Sequence, residues 1–246
     1  RLGHALVEWV ASYRENVESF PVMSRVAPGD VRRQLPASPP VDGEPLDAAL
    51  ADLDRVIMPG ITHWAHPRFL AYFPSNAGLS SVLADIVATG LGVQGMSWQT
   101  SPAATELEEV VMDWLRQMVA LPDSFTGVIH DTASTATLVA LLCARERATA
   151  HGQTRGGLQA EAAPLAVYAS EQSHSSVEKA SLLAGFGREH VRPIDTDERF
   201  AMRADLLRAA IARDVAAGVR PCAIVATVGS TATTAIDPIA EIAEIA

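Results

Sequence analysis

The chain has 246 residues, 48% of them apolar, which is enough for one large domain or slightly more with a sizeable core. It carries 19 basic against 29 acidic side chains, a formal net charge of -10, and a surface of that sign repels nucleic acid and anionic membrane. No apolar run approaches the roughly 20 residues of a membrane span and no secretory signal is visible, so a cytoplasmic protein with no nucleic-acid or membrane partner is expected.

The pattern begins at Arg1 inside one helical stretch and stops at Ala246 inside another, without a glycine or proline stop. The expectation is a piece of a longer polypeptide. Leu2, Leu6, Trp9 and Tyr13 recur at helical spacing as one stripe. Such a first helix docks either on its own domain or on a second subunit. Proline and glycine dominate from Pro28 to Pro45, a turn-rich connector. A second helical stretch runs from Leu46 to Ile57 and ends at Pro59-Gly60. Leu79, Val82, Leu83, Ile86 and Val87 form one apolar helix face; Leu107, Val110, Val111, Trp114, Leu115 and Met118 form another. The second has start signals in Ser101-Pro102 and in Thr105 with Glu108 three residues on.

From Gly127 the texture changes. "GVI" reads as a short strand, followed by a Ser/Thr-rich loop and a nearly all-apolar helix from Ala136 to Cys143. "PLAVYA", "HVRPI" and "CAIVATV" read as further strands, alternating with the helices "SVEKASLLAG" and "ADLLRAAIARDVAAG" before Asp237-Pro238 opens the last helix. Apolar strands alternating with helices predict an α/β fold with a largely parallel sheet flanked by helices. The division is placed at residue 75: residues 1–75 as an N-terminal helical segment, 76–246 as the first part of an α/β domain. Cys143 and Cys222 lie far apart in apolar stretches and read as two buried free thiols.

Several motifs carry little chemistry. Gly90, Gly92 and Gly95 match G-x-G-x-x-G, but a helix precedes them where the dinucleotide fingerprint needs a strand. No G-x-S-x-G is present, and Lys179, the only lysine, follows no glycine-rich loop. His63 and His66 lack a third ligand in sequence, so they read as loop histidines and no metal is expected. Three loops are more telling. "DTASTAT" (Asp131 to Thr137) gathers hydroxyls and free N–H groups at a helix start, which suits a phosphate, although a plain Ser/Thr cap is the competing reading. "GSTATT" (Gly229 to Thr234) and the loop holding His174 are the others. All three follow strands, where open α/β sheets bind ligands, so together they suggest a phosphorylated cofactor with a ring.

These residues resemble a known family, the group II pyridoxal-phosphate-dependent decarboxylases of the aromatic-L-amino-acid decarboxylase type. "THWAHPRFLAYFPSNAG", "SWQTSPAATELEEVVMDWL", "TASTATLVALLCARE", "ASEQSHSSVEKA" and "VATVGSTATTAIDPI" resemble its segments in order, across nearly the whole chain. The resemblance implies a fold-type I pyridoxal-phosphate enzyme, a homodimer with N-terminal helices entwined and the site at the interface. It implies that His174 stacks on the ring of pyridoxal 5'-phosphate and approaches the substrate, as the catalytic residue. Thr132, Ala133 and Ser134 would hold the phosphate and Thr231 would flank the cofactor. Trp64, Tyr72, Phe73, Pro74 and Ser75 would form the substrate side, with Gln94 and Met96 reaching the partner subunit's site. The lysine that carries the cofactor and the aspartate that pairs with the ring nitrogen are expected beyond residue 246; Lys179 does not match the former. The implied reaction is loss of the α-carboxylate from an L-amino acid such as DOPA, tyrosine or tryptophan, giving the amine and CO2. An aldehyde-forming synthase, an aminotransferase or a catalytically silent dimerising homologue are the alternatives. Local departures are His130-Asp131, where better-known members carry glutamine and glycine, and Gln94 and Met96, where animal members carry apolar and aromatic residues.

Overall fold

The structure is a computed structural model that describes residues 2–73 and 77–246. The chain forms two compact units, residues 1–92 and 93–246. The first is helical, with α1 (Leu2–Glu15), α2 (Asp30–Arg33), α3 (Leu46–Asp52) and α4 (Leu79–Leu91). The stretch expected as one helix to Ile57 changes pitch after Asp52, into a π turn over Leu53–Ile57 and a 3-10 turn over Met58–Gly60 containing Pro59. Gly92 closes α4 in the left-handed conformation (φ 63°), which is why this G-x-G-x-x-G ends a helix instead of opening one. Between α1 and α4 lies an apolar groove of about 540 Å³, walled by Leu6, Val7, Val10, Leu79, Leu83 and Ile86.

The second unit holds α5 (Pro102–Met118), α6 (Ala133–Ala148), β1 (Leu165–Ser170), α7 (Ser176–Leu183), β2 (Val191–Ile194), α8 (Ala204–Ala216), β3 (Arg220–Val225) and α9 (Ile239–Ile245). The strands form a parallel sheet in the order β2-β1-β3. All six residues of β1 are buried, as a central strand covered on both faces requires. Its side chains alternate between two cores. Leu165 and Val167 pack with Leu141 of α6, Ala180 of α7 and Ala184 just past it. Ala166 and Tyr168 pack with Leu207 and Ala210 of α8 and Ile242 of α9. The sheet is therefore sandwiched between α6/α7 and α8/α9. No helix among the described residues is long and apolar enough to cross a membrane.

Three local expectations need correction. Gly127–Ile129 forms no strand: the Ile129 N–H donates instead to Glu108 of α5 at 2.8 Å. The Met112 methyl packs against Gly127 where a Cβ would lie, 2.1 Å from that position. Helix α6 starts three residues early, because Thr132 caps the Thr135 N–H at 3.1 Å and draws Ala133–Thr135 into the first turn. Cys143 is exposed and Cys222 half-buried. The stretch around Cys143 is apolar on every side, so periodicity could not tell its inner face from its outer one. Burial among the sheet residues pushes the Cys222 thiol up to about 11. The apolar face of α5 is open, with Met118 76% exposed and Leu107 and Trp114 exposed beside it.

One polar group is built into the α8 side. Tyr168 and Arg192 are register partners on β1 and β2. The fully buried Tyr168 hydroxyl donates to Asp214 Oδ2 at 2.7 Å, and Arg192 Nη2 donates to Oδ1 at 2.7 Å. The Arg192 hydrogen bonds hold the Asp214 carboxyl below its ordinary range, with the Tyr168 hydroxyl adding to the effect. A carboxyl depressed in the folded state contributes stability in full above the unfolded value, near pH 4, and loses it as pH falls through the lower folded value. Tyr168→Phe removes one buried donor and lowers unfolding stability by about 1–2 kcal/mol. Urea unfolding at neutral and acid pH checks this: the difference should shrink as Asp214 protonates, and an unchanged midpoint at pH 7 would show the hydroxyl to be idle.

Candidate functional site

The directions of α6 and α7 place their first turns. Arg220, at the start of β3, donates to the Ala148 carbonyl at the end of α6. Arg145, in the last turn of α6, donates to the Ala184 carbonyl just past α7 at 2.8 Å. Both helices thus end at the amino edge of the sheet and begin at its carboxyl edge. Thr132–Ser134, the His174 loop after β1 and the Thr231 loop after β3 share that edge, where ligands bind in open α/β sheets.

At α6 the Thr132 side chain caps Thr135, and the first backbone carbonyl bond runs from the Ala136 N–H to Thr132 at 3.0 Å. Among the described residues no backbone or side-chain acceptor takes the N–H of Ala133 or Ser134, or the Ser134 hydroxyl. All three residues, Thr132 to Ser134, are exposed. Two free N–H groups and a hydroxyl at the positive end of a 16-residue helix form a donor set that fits a phosphate.

The exposed His174 ring stands just before α7 and is anchored through Nδ1. The Ser176 N–H donates to it at 3.2 Å, and Ser176 Oγ lies 3.0 Å away. A hollow of about 300 Å³ opens beside it, lined among others by Ser170, Ser173, His174, Val177, Val191 and Pro193. Ser173 Oγ is buried there without a hydrogen-bond partner. This hollow lies on the β2 side of α7. Neither Ser134 nor Thr231 lines it, because α6 packs on the other flank of α7, toward β3.

The Thr231 loop is a tight structure. The Gly229 and Ser230 N–H groups both donate to the Ala235 carbonyl, at 2.9 and 3.0 Å, and Gly229 takes a φ of 80° that suits only glycine without strain. Thr231 is exposed at the tip. The loop is pinned by Asp237, only 3% exposed, whose Oδ2 accepts the Thr227 N–H and Oδ1 the Met202 N–H, each at 2.7 Å.

The residues expected on the substrate side divide between the units. In the first, Trp64 stacks on Phe69 and Tyr72 with ring centroids 4.8 and 5.5 Å away, an exposed aromatic surface with Phe73 exposed next to it. Tyr72 has a left-handed φ of 57°, uncommon for an aromatic residue. Pro74 and Ser75 lie outside the described residues. Gln94 and Met96 are exposed in the turn before α5, in the second unit. His63 is a core residue, 1% exposed, hydrogen-bonded to Tyr13 at 2.9 Å and packed on Phe20. Burial, with the neighbouring His66 adding to it, lowers its proton affinity. His66 Nδ1 accepts the Arg68 N–H at 3.0 Å.

Sequence reasoning missed Ser176 and Asp237. The signal for Ser176 was its place two residues after His174, within reach of the ring. Asp237 was read only as a helix opener; its two acceptor bonds come from tertiary structure and leave no local trace.

The family model for "Pyridoxal-dependent decarboxylase conserved domain" matches residues 28–246. The chain is 43% identical to the Bos taurus aromatic-L-amino-acid decarboxylase, over all of its own length and 52% of that protein. It is 41% identical to an Arabidopsis thaliana phenylacetaldehyde synthase, over 99% of its length and 50% of that protein. The structure superposes on Catharanthus roseus tryptophan decarboxylase in complex with L-tryptophan with a TM-score of 0.91 at 38% identity, covering 99% of this chain and 53% of that one. The chain thus spans about half the length of the curated relatives it matches. With a fold-type I architecture and a match over most of its residues, the chain belongs to the pyridoxal-dependent decarboxylase family.

Proposed function

We propose that the complete polypeptide decarboxylates an L-amino acid with an aromatic side chain, using pyridoxal 5'-phosphate. The observation that carries this reading is the shared sheet edge: an open helix start with phosphate-type donors, an exposed, anchored imidazole after β1 and a threonine-tipped loop after β3 belong to one α/β unit. Ala133 and Ser134 hold the phosphate through their N–H groups and the Ser134 hydroxyl, with Thr132 shaping the turn. His174 covers the ring face and Thr231 flanks it. The chemistry supplied by the bound cofactor is an acceptor for the electron pair left as CO2 departs. The aromatic stack at Trp64 and Tyr72, with Phe73, Pro74, Ser75, Gln94 and Met96, is assigned to the substrate side; aromatic faces suit a flat substrate ring. We further propose a cytoplasmic homodimer, in which a second copy covers the apolar groove between α1 and α4.

The test is made on the full-length protein loaded with pyridoxal phosphate. A visible-edge absorbance band bleached by borohydride, with CO2 release from a panel of aromatic amino acids, is the expected result. A bound cofactor with no CO2 from any of them would sink the decarboxylase reading. The 41% identity to a phenylacetaldehyde synthase favours one second reading, so the product is identified as amine or aldehyde. Ser134→Ala removes one hydrogen bond to a charged acceptor and raises the cofactor Kd by roughly tenfold. Fluorescence titration checks it, and an unchanged Kd would remove Ser134 from the phosphate site.

A further inference from the structure

Two donors converge on one ring nitrogen of His174. Ser176 is in the first turn of α7 and 7% exposed. Its backbone N–H donates to His174 Nδ1 at 3.2 Å. An amide N–H cannot face a protonated ring nitrogen, so Nδ1 carries the lone pair. With Nδ1 an acceptor, the Ser176 hydroxyl 3.0 Å away can bond to it only as a donor, sharing the single lone pair with the N–H. In the neutral imidazole the proton is then on Nε2. The two bonds also restrain the ring, which is otherwise exposed and free to change rotamer.

We propose that Ser176 is the positioning residue of the site: by holding Nδ1 from both its N–H and its hydroxyl, it fixes the plane and the tautomer of His174, so that the imidazole offers Nε2–H as a donor. Such a ring serves an anionic oxygen, as on a carboxylate, and cannot accept a proton from a neutral donor at Nε2. This inference rests on the reading of His174 as a group facing cofactor and substrate. It explains why a serine, with both donors on one residue, stands where a helix start needs neither of them. Among the described residues neither the Ser176 N–H nor its hydroxyl has another hydrogen-bond partner, so both are free to serve the ring.

The test uses the full-length enzyme loaded with pyridoxal phosphate and has a direct readout. Nitrogen-15 spectra of labelled histidine, with His174 assigned by its loss in His174→Ala, should show Nδ1 as an unprotonated acceptor and Nε2 protonated. Ser176→Ala should move the Nδ1 resonance. It should also lower kcat by roughly tenfold, the worth of one such hydrogen bond, with KM moving less than about twofold. Ser176→Thr, which keeps the Oγ, should restore both the resonance and kcat. A protonated Nδ1 in the unaltered protein overturns the proposal without any variant. So does a Ser176→Ala protein with unchanged resonance and unchanged kcat. A normal decarboxylation rate in His174→Ala would instead sink the reading of His174 beneath it, whatever the spectra show.

Discussion

Replacing His174 by alanine in the full-length, cofactor-loaded enzyme lowers decarboxylation by roughly a hundredfold or more, with little change in stability. The two halves of this expectation come from different observations. The ring is exposed and its side-chain hydrogen bonds among the described residues go only to Ser176, two residues on, so its removal leaves only the Ser176 N–H and hydroxyl, at the open first turn of α7, without their acceptor. Unfolding stability should therefore fall by no more than about 1 kcal/mol. The loss in rate follows from the proposed role: an anchored planar group at the carboxyl edge of the sheet, on the same edge as a phosphate-type helix start, would orient a flat cofactor and its substrate. His174→Phe separates the two jobs of the ring. It keeps a flat face but no nitrogen, so cofactor affinity should stay near the original value while turnover remains low. Steady-state rates, cofactor titration and thermal unfolding, measured on both variants, decide it. Unchanged turnover in either variant would take the imidazole out of the chemistry.

The α/β unit was legible where the physics is local. The buried run Leu165–Ser170 and the helix closed by Gly218 stand within a few residues of the expected places, because apolar period and glycine stops act over short distances. The loops of His174 and Thr231 could be placed after β1 and β3 for the same reason, whereas the strand expected before Thr132 is not formed. Their geometry was not legible. That His174 is held by Ser176, and that its hollow opens toward β2 while Thr132–Ser134 starts a helix on the other flank of α7, depends on how α6 and α7 pack. Gly127–Ile129 shows the limit from the other side. Its composition suits a strand, yet a carboxylate 21 residues earlier takes the Ile129 N–H that a ladder would have used. The sequence around His63 reads as a loop; only the fold brings Tyr13 and Phe20 to it, from 50 and 43 residues away.

Asp237→Asn is expected to cost about 2–4 kcal/mol of unfolding stability and to loosen the loop that carries Thr231. The carboxylate is buried and each of its oxygens accepts a backbone N–H at 2.7 Å, one from Met202 before α8 and one from Thr227 after β3. Its own N–H returns to the Thr227 carbonyl at 2.9 Å. An amide of the same shape has one acceptor and one donor group, so whichever way it is turned an N–H meets an NH2. Asp237→Ala fares no better, since both N–H groups are then buried without an acceptor. The effect should be local before it is global. Hydrogen exchange should speed up first at the Met202 and Thr227 amides and at Gly229 and Ser230, while the amides of β1 keep their protection. Cofactor affinity should fall with it, because Thr231 makes no hydrogen bond of its own among the described residues and depends on the loop's pinning. A variant with the original unfolding midpoint and unchanged exchange at Met202 and Thr227 would show that these two bonds do not hold the loop. The carboxylate would then be a passive neighbour of the segments before α8 and after β3 and not the tie between them.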